Sequence, residues 1–209
     1  MNATGRFISL EGIEGAGKST LAAALRVALR SRGLSVLLTR EPGGTPLAEQ
    51  LRALLLARGD ERILPEAEAL LMFAARSIHL ENLIRPALHA GTWVICDRFT
   101  DATRAYQGAG RGVDGALIEG LARSVHDTLW PQRTLLLDLP VATGLARVAS
   151  RRSQGDRFED EDQRFFERVR ERYLALAADE PDRVRVLDAS REPDSVVAQA
   201  LDALADLLG

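Results

Sequence analysis

The chain has 209 residues, enough for one sizeable core and few for two, so one domain over 1–209 is expected. Hydrophobic residues make up 46% and charged residues 27%, an ordinary globular balance, and the net charge of −3 excludes a general attraction to nucleic acid or anionic lipid. A single cysteine, Cys96, excludes an internal disulfide; no cleavable leader and no apolar run of the ~18–20 residues that span a bilayer is visible, so a cytoplasmic protein without a membrane partner is expected.

Short apolar runs alternate with long amphipathic ones. A strand is expected from Phe7 to Leu10, ending at Glu11-Gly12. A helix follows over roughly 18–32, with Leu21, Leu25, Ala28 and Leu29 on one face and Gly33 as its stop. Ser35 to Thr39 reads as the second strand, before the turn Pro42-Gly43-Gly44. Helical patterns occupy about 46–57 and 66–90, Trp93 to Cys96 is a third strand, and helix resumes near 114–126. Thr134 to Leu139 and Val184 to Leu187 complete five strands, and 194–208 closes the chain as a helix. Continuously apolar strands suit a sheet covered on both faces, and helices between them imply parallel crossovers. The fold class expected is therefore α/β, a five-stranded parallel sheet with helices on both sides. Ligands bind such sheets at the carboxyl ends of the strands, and the chemical motifs follow Leu10, Thr39 and Cys96.

The first motif is Gly12-Ile13-Glu14-Gly15-Ala16-Gly17-Lys18-Ser19, a match to G-x-x-x-x-G-K-[ST] between a strand and a helix. Its glycines let successive N–H groups face one concavity, and the helix starting near Lys18 and running through Thr20 points its positive end there. Lys18 should reach the β- and γ-phosphates of ATP, and the Ser19 hydroxyl should ligate Mg²⁺. No Asn-Lys-x-Asp guanine motif and no Leu-Ser-Gly-Gly-Gln transport signature is present. Asp97 follows a strand beside this loop, where a carboxylate can hold Mg²⁺ or cap a helix. Arg98 offers a planar fork for phosphate, and Arg40 stands at another strand end.

Thr39-Arg40-Glu41-Pro42-Gly43-Gly44-Thr45, Asp97-Arg98-Phe99 and Ala105-Tyr106-Gln107-Gly108, with the acidic Glu14 in the phosphate loop, resemble the thymidylate kinase family from about Phe7 to Tyr173. The resemblance is to the bacterial form, whose catalytic arginines sit in a lid. It implies a P-loop nucleoside-monophosphate-kinase fold, transfer of the γ-phosphate of ATP to dTMP with Mg²⁺, and a homodimer. It further implies that Arg98 and Arg40 grip the acceptor phosphate and that Phe73 stacks on thymine. Arg76 would contact the monophosphate side, Tyr106 would line the acceptor site, and Gln107 would pair with the pyrimidine edge. Glu14 would take the deoxyribose 3′-hydroxyl. Where the family often carries Asp-Ser-Thr, this chain has Asp101-Ala102-Thr103.

From Arg147 to Arg157 lie four arginines around a flexible Ser-Gln-Gly, a composition suited to a lid at about 147–160 that closes on phosphates. Arg147 and Arg151 share a helix face by their i, i+4 spacing, and Arg151, Arg152 and Arg157 are the expected catalytic arginines. A charged, solvated helix is the alternative over 159–172, where Phe165, Phe166, Val169 and Tyr173 form an apolar stripe. A related P-loop kinase acting on another nucleotide or on a deoxynucleoside remains open; a nucleoside hydroxyl would want a carboxylate base, for which Asp97 or Glu41 could serve.

Overall fold

The structure is a computed structural model that describes residues 5–57, 61–150 and 161–208. Its centre is β1 (Phe7–Glu11), followed by α1 (Lys18–Arg30), β2 (Val36–Arg40), α2 (Pro46–Leu56) and α3 (Pro65–His79). After a π-helical turn, Leu80–Ile84, come α4 (Arg85–His89) and β3 (Trp93–Asp97). Next are α5 (Thr100–Thr103), a second π-helical segment Arg104–Gly110, α6 (Gly115–Val125), β4 (Arg133–Asp138) and α7 (Val141–Ala149). The chain ends with α8 (Gln163–Asp179), β5 (Val184–Asp188), α9 (Pro193–Ala203) and α10 (Ala205–Leu208).

All pairings are parallel, in the order β2-β3-β1-β4-β5. The central strands are covered on both faces, as their apolar runs require, while Arg185 and Val186 of the edge strand β5 are exposed. Phe7, Val94 and Cys96 turn one way and pack with Leu80, Ile84, Leu88 and Phe99. Their neighbours Ile8, Leu10 and Ile95 turn the other way, against Leu21, Leu25 and Leu29 of α1 and Phe166 and Val169 of α8. Alternation of side chains along a strand produces this division, and each large side chain so buried contributes about 1.5–3 kcal/mol.

The sheet order places the ends of β2, β3 and β1 side by side. Arg40 pairs in register with Asp97, and Asp97 with Leu10. The three motifs, far apart in sequence, thus meet at one edge.

Several boundaries differ from the sequence expectation. The helical run near 66–90 carries the π-helical turn because Pro86 lacks an N–H and its ring crowds the carbonyl four residues back; the Arg85 N–H reaches Leu80 instead. The closing helix breaks at Leu204. Tyr106 and Gln107 lie on the π-helical segment, for which no element was expected, and both are buried. Of the charged stretch, residues 163–172 start α8, capped where the Asp162 side chain accepts from the Phe165 N–H at 2.8 Å, and its aromatic stripe is buried. No helix of the described residues is long and apolar enough to cross a membrane.

Helix α7 presses on the phosphate loop through Gly144. A Cβ at Gly144 would lie 2.6 Å from the Glu14 carbonyl oxygen, and one at Gly15 would lie 2.2 Å from the Gly144 oxygen. Gly144→Ala should therefore destabilise the fold by about 1–3 kcal/mol and move the loop, read as a lower Tm together with a several-fold higher KM for ATP. An unchanged KM would show that the loop tolerates the displacement.

Candidate active site

The loop turns through positive φ at Gly12, Gly15 and Gly17, angles that a side chain resists. Gly17 is the N-cap of α1 and offers no side chain to the first N–H groups of the helix, so these are left for an anion. Lys18 curls back and donates from Nζ to the carbonyl oxygens of Gly12 and Ile13, both at 2.9 Å. Burial lowers its pKa to about 8, and the charge of Arg98 adds to the fall. Ser19 and Thr20 line the same cavity. Arg147, expected at the start of a lid, donates instead to the carbonyls of Gly15 and Ala189 at 3.4 Å and ties loop to helix.

Asp97 faces this loop from β3. Its Oδ1 is buried and has no hydrogen-bond partner among the described residues. It caps no helix, since Phe99 holds the N-cap position of α5. An orphaned carboxylate oxygen beside an exposed Ser19 hydroxyl suits a hard divalent cation, so the residues fit Mg²⁺.

Arg98 adopts φ 73°, a strained value for a non-glycine residue. The turn is held from both sides. The Arg98 N–H donates to Leu10, and the Phe99 N–H donates to the carboxylate of Glu11, whose pKa burial raises to about 8 with Asp101 adding to the rise. The guanidinium then lies 4.5 Å from the centre of the Tyr106 ring and donates to Glu14 at 2.8 Å. Glu14 also accepts from the Tyr106 hydroxyl at 2.7 Å. A carboxylate among phosphates needs a cationic partner, and Arg98 is that partner.

Arg40 stands at the cavity mouth, 55% exposed, and donates to both oxygens of Glu49 at 3.0 and 2.9 Å. The glycines behind it have a steric cause. A Cβ at Gly43 would lie 2.4 Å from Glu49 Oε1, and one at Gly44 would lie 2.4 Å from the His79 ring.

The opposite wall comes from α3 and the segment 104–110. Arg76 is 2% exposed and lies between the Phe73 and Phe99 rings. It donates from Nε to Glu41 at 2.7 Å and from Nη2 to Thr103 at 3.1 Å, while its Nη1 is buried with no partner among the described residues. Glu41 also bonds His79 Nδ1 at 3.0 Å, and His79 Nε2 bonds the Thr39 hydroxyl at 2.6 Å. Burial would raise the Glu41 carboxyl, but the charge of Arg76 and the bond from His79 outweigh it and hold its pKa below the ordinary value.

These walls enclose one cavity of about 440 Å³. Lys18, Arg40, Asp97, Arg98, Tyr106 and Gln107, separately expected from the sequence, all line it, as do Arg76 and the phosphate-loop residues Glu14, Gly15 and Gly17. Phe73 does not line it. Its ring is 1% exposed and packs with Ala69, Val113, Ile118 and Ala122, while the preceding Met72 faces the cavity. The sequence reading also passed over His79 and Glu68, which carry no motif. Arg151, Arg152 and Arg157 lie outside the described residues.

A glycine-lined anion loop under a parallel sheet of order 2-3-1-4-5, facing a cation-rich cavity, defines an α/β P-loop kinase-like protein. The thymidylate kinase family model matches residues 10–200. The chain is 57% identical over 201 residues to a thymidylate kinase of Pseudomonas fluorescens strain SBW25, covering 96% of this chain and 95% of that protein. It is 53% identical over 201 residues to one from Alkalilimnicola ehrlichii, covering 96% and 93%. The crystal structure of the Ehrlichia chaffeensis thymidylate kinase superposes with a TM-score of 0.79 at 32% identity, over 96% of this chain and 99% of that one. The chain belongs to the thymidylate kinase family.

The lowered pKa of Lys18 makes ATP binding sensitive to pH. Triphosphate oxygens favour the charged amine, so its pKa in the complex must exceed the value of about 8 in the free protein. Affinity for ATP is then full below pH 8 and should fall by up to tenfold per pH unit as pH rises through it. Calorimetric titration of ATP across that range checks the slope, which should vanish in Lys18→Met.

Proposed function

We propose that the chain transfers the γ-phosphate of ATP to dTMP, forming dTDP on the route to dTTP. The observation that carries this is one cavity lined by phosphate-loop residues, by Arg98 and Arg40, and by Arg76, Met72 and Gln107. Such a cavity holds donor and acceptor nose to tail. The acceptor phosphate oxygen attacks the γ-phosphorus in line, the bond from γ-phosphorus to the β-bridging oxygen breaks, and ADP leaves with that electron pair.

A monophosphate is already largely ionised near neutrality, its second pKa being about 6, so no general base is required. A nucleoside acceptor would require one. Of the two cavity carboxylates named for that role, Glu41 is held below its ordinary pKa by Arg76 and His79 and is a weak base, while Asp97 is proposed to hold Mg²⁺, which favours the monophosphate reading. Lys18 and the α1 N-terminus hold the donor, with Gly12, Ile13, Glu14, Gly15, Ala16, Gly17, Ser19 and Thr20 forming its cradle. Arg98 and Arg40 orient the acceptor phosphate. Ser19 and Asp97 would hold Mg²⁺, which when bound offsets charge on the β- and γ-phosphate oxygens. Arg151, Arg152 and Arg157 are proposed to reach the transferring group, where one arginine is worth about 10³–10⁵ in rate. Glu14, already committed to Arg98 and Tyr106, keeps acceptor capacity for the 3′-hydroxyl of the sugar.

For the base, the sequence favoured Phe73 as platform. The cavity face belongs to Met72, whose polarizable thioether packs well on an aromatic ring, and we assign the platform to it. The chain acts as one domain and pairs with a second copy. Leu47 and Leu54 on one face of α2, each 53% exposed, and Leu70 of the adjoining α3, 51% exposed, are apolar surface for that contact.

An ADP-release assay with ATP, Mg²⁺ and a panel of monophosphates and nucleosides tests the reading. dTMP should turn over fastest; preference for thymidine would replace it with the nucleoside-kinase reading. Met72→Ala should raise KM for dTMP with little change for ATP or in Tm. Phe73→Ala should cost about 3–5 kcal/mol of stability, seen in Tm, because its ring is core. The reverse pattern would return the platform to Phe73.

A further inference from the structure

Glu68 is a carboxylate with no exposure, on α3 one turn before Met72 and two before Arg76. It lies outside the phosphate chemistry, and the cavity surface does not include it. Gln107 Nε2 donates to it at 2.7 Å, and Arg111 Nε donates at 2.8 Å. Arg111 in turn pairs with Glu161 at 2.9 Å. A carboxylate paired with a guanidinium accepts hydrogen bonds and donates none. Gln107 must therefore offer Glu68 its NH₂, and the opposite side of the amide, the carbonyl Oε1, is turned away from Glu68. No hydrogen bond from a described residue reaches that oxygen, and Gln107 lines the cavity.

Thr103 and Gln107 are one turn apart, and Arg76 bonds Thr103, while the Arg76 Nη1 is buried with no hydrogen-bond partner among the described residues. Thymine and uracil carry an N3–H between carbonyls and match an acceptor; cytosine carries a bare N3, which an acceptor repels. A site built to accept a donor rejects the analogue lacking it.

Building on the dTMP reading above, we propose that Glu68 is a specificity-determining positioning residue. By holding the Gln107 NH₂, it turns the amide carbonyl to the cavity and commits the site to pyrimidine monophosphates with an N3–H, against cytidylate. Glu68 touches no substrate; it acts through Gln107.

The test is Glu68→Gln, nearly isosteric, whose own amide can donate to Gln107 Oε1 and so lets the Gln107 side chain reverse. The ratio of kcat/KM for dTMP over dCMP should fall on the order of tenfold, mainly through KM, with KM for ATP unchanged. Glu68→Asp keeps a carboxylate and should retain the parent ratio even at lower turnover. A merely structural role would lower both substrates equally; an unchanged ratio or equal losses in a folded Glu68→Gln variant overturn the proposal. Should that variant not fold, calorimetry on the unaltered protein decides. N3-methyl-dTMP and dCMP should each bind on the order of tenfold more weakly than dTMP, and binding of either as tight as dTMP overturns the proposal. Failure of the kinase reading shows separately, as absence of dTMP turnover in the parent, while the preference for N3–H is still read from binding.

Discussion

Bringing two anionic nucleotides end to end demands several cations around one cavity, and each must be held in place before any anion arrives. Among the described residues, four of them have local partners. Lys18 lies on the carbonyls of its own loop, Arg98 on Glu14, Arg40 on Glu49 and Arg76 on Glu41. Removing charge from water without such partners would cost several kcal/mol per group. The pairings therefore do two things at once: they make burial tolerable, and they fix the geometry in which phosphate is received. Burial and the charge of Arg98 lower the Lys18 pKa to about 8, so an incoming anion favours the charged amine.

The sheet makes this arrangement possible. A parallel strand delivers its last residues to the same edge as its neighbours, so the register Arg40–Asp97–Leu10 sets cations and a carboxylate in a row. Close approach is then a matter of small residues. Gly144 lets α7 touch the phosphate loop, and Gly43 and Gly44 let the turn after β2 pass over Glu49 and His79. In both places a Cβ would collide with a group that positions a cation or the loop itself. The strained backbone of Arg98 is held by hydrogen bonds on either side, as strain at a working residue requires.

Much of this was readable in the residues. The Gly12–Ser19 spacing, the apolar strands and the placement of Arg40, Asp97 and Arg98 at strand ends foretold the α/β sheet, the loop and the residues that converge on it. Family resemblance narrowed the acceptor, and the comparisons bear out the family. Family resemblance pointed to Phe73 as the ring platform, whereas Phe73 packs in the core and Met72 lines the cavity. Neighbours on a helix point about 100° apart, so composition cannot choose between them without knowing what covers each side.

The chain's local chemistry determined, by itself, the period of each element, the glycine loop that seats an anion and the family to which the whole belongs. Tertiary structure alone decided the partners. Glu41 and Arg76 are 35 residues apart, Glu68 and Gln107 are 39, and Glu14 and Arg98 are 84. Nothing in a linear pattern says which carboxylate will meet which cation, because such pairs form only when packing of distant segments excludes water between them and brings the partners of each buried charge within reach.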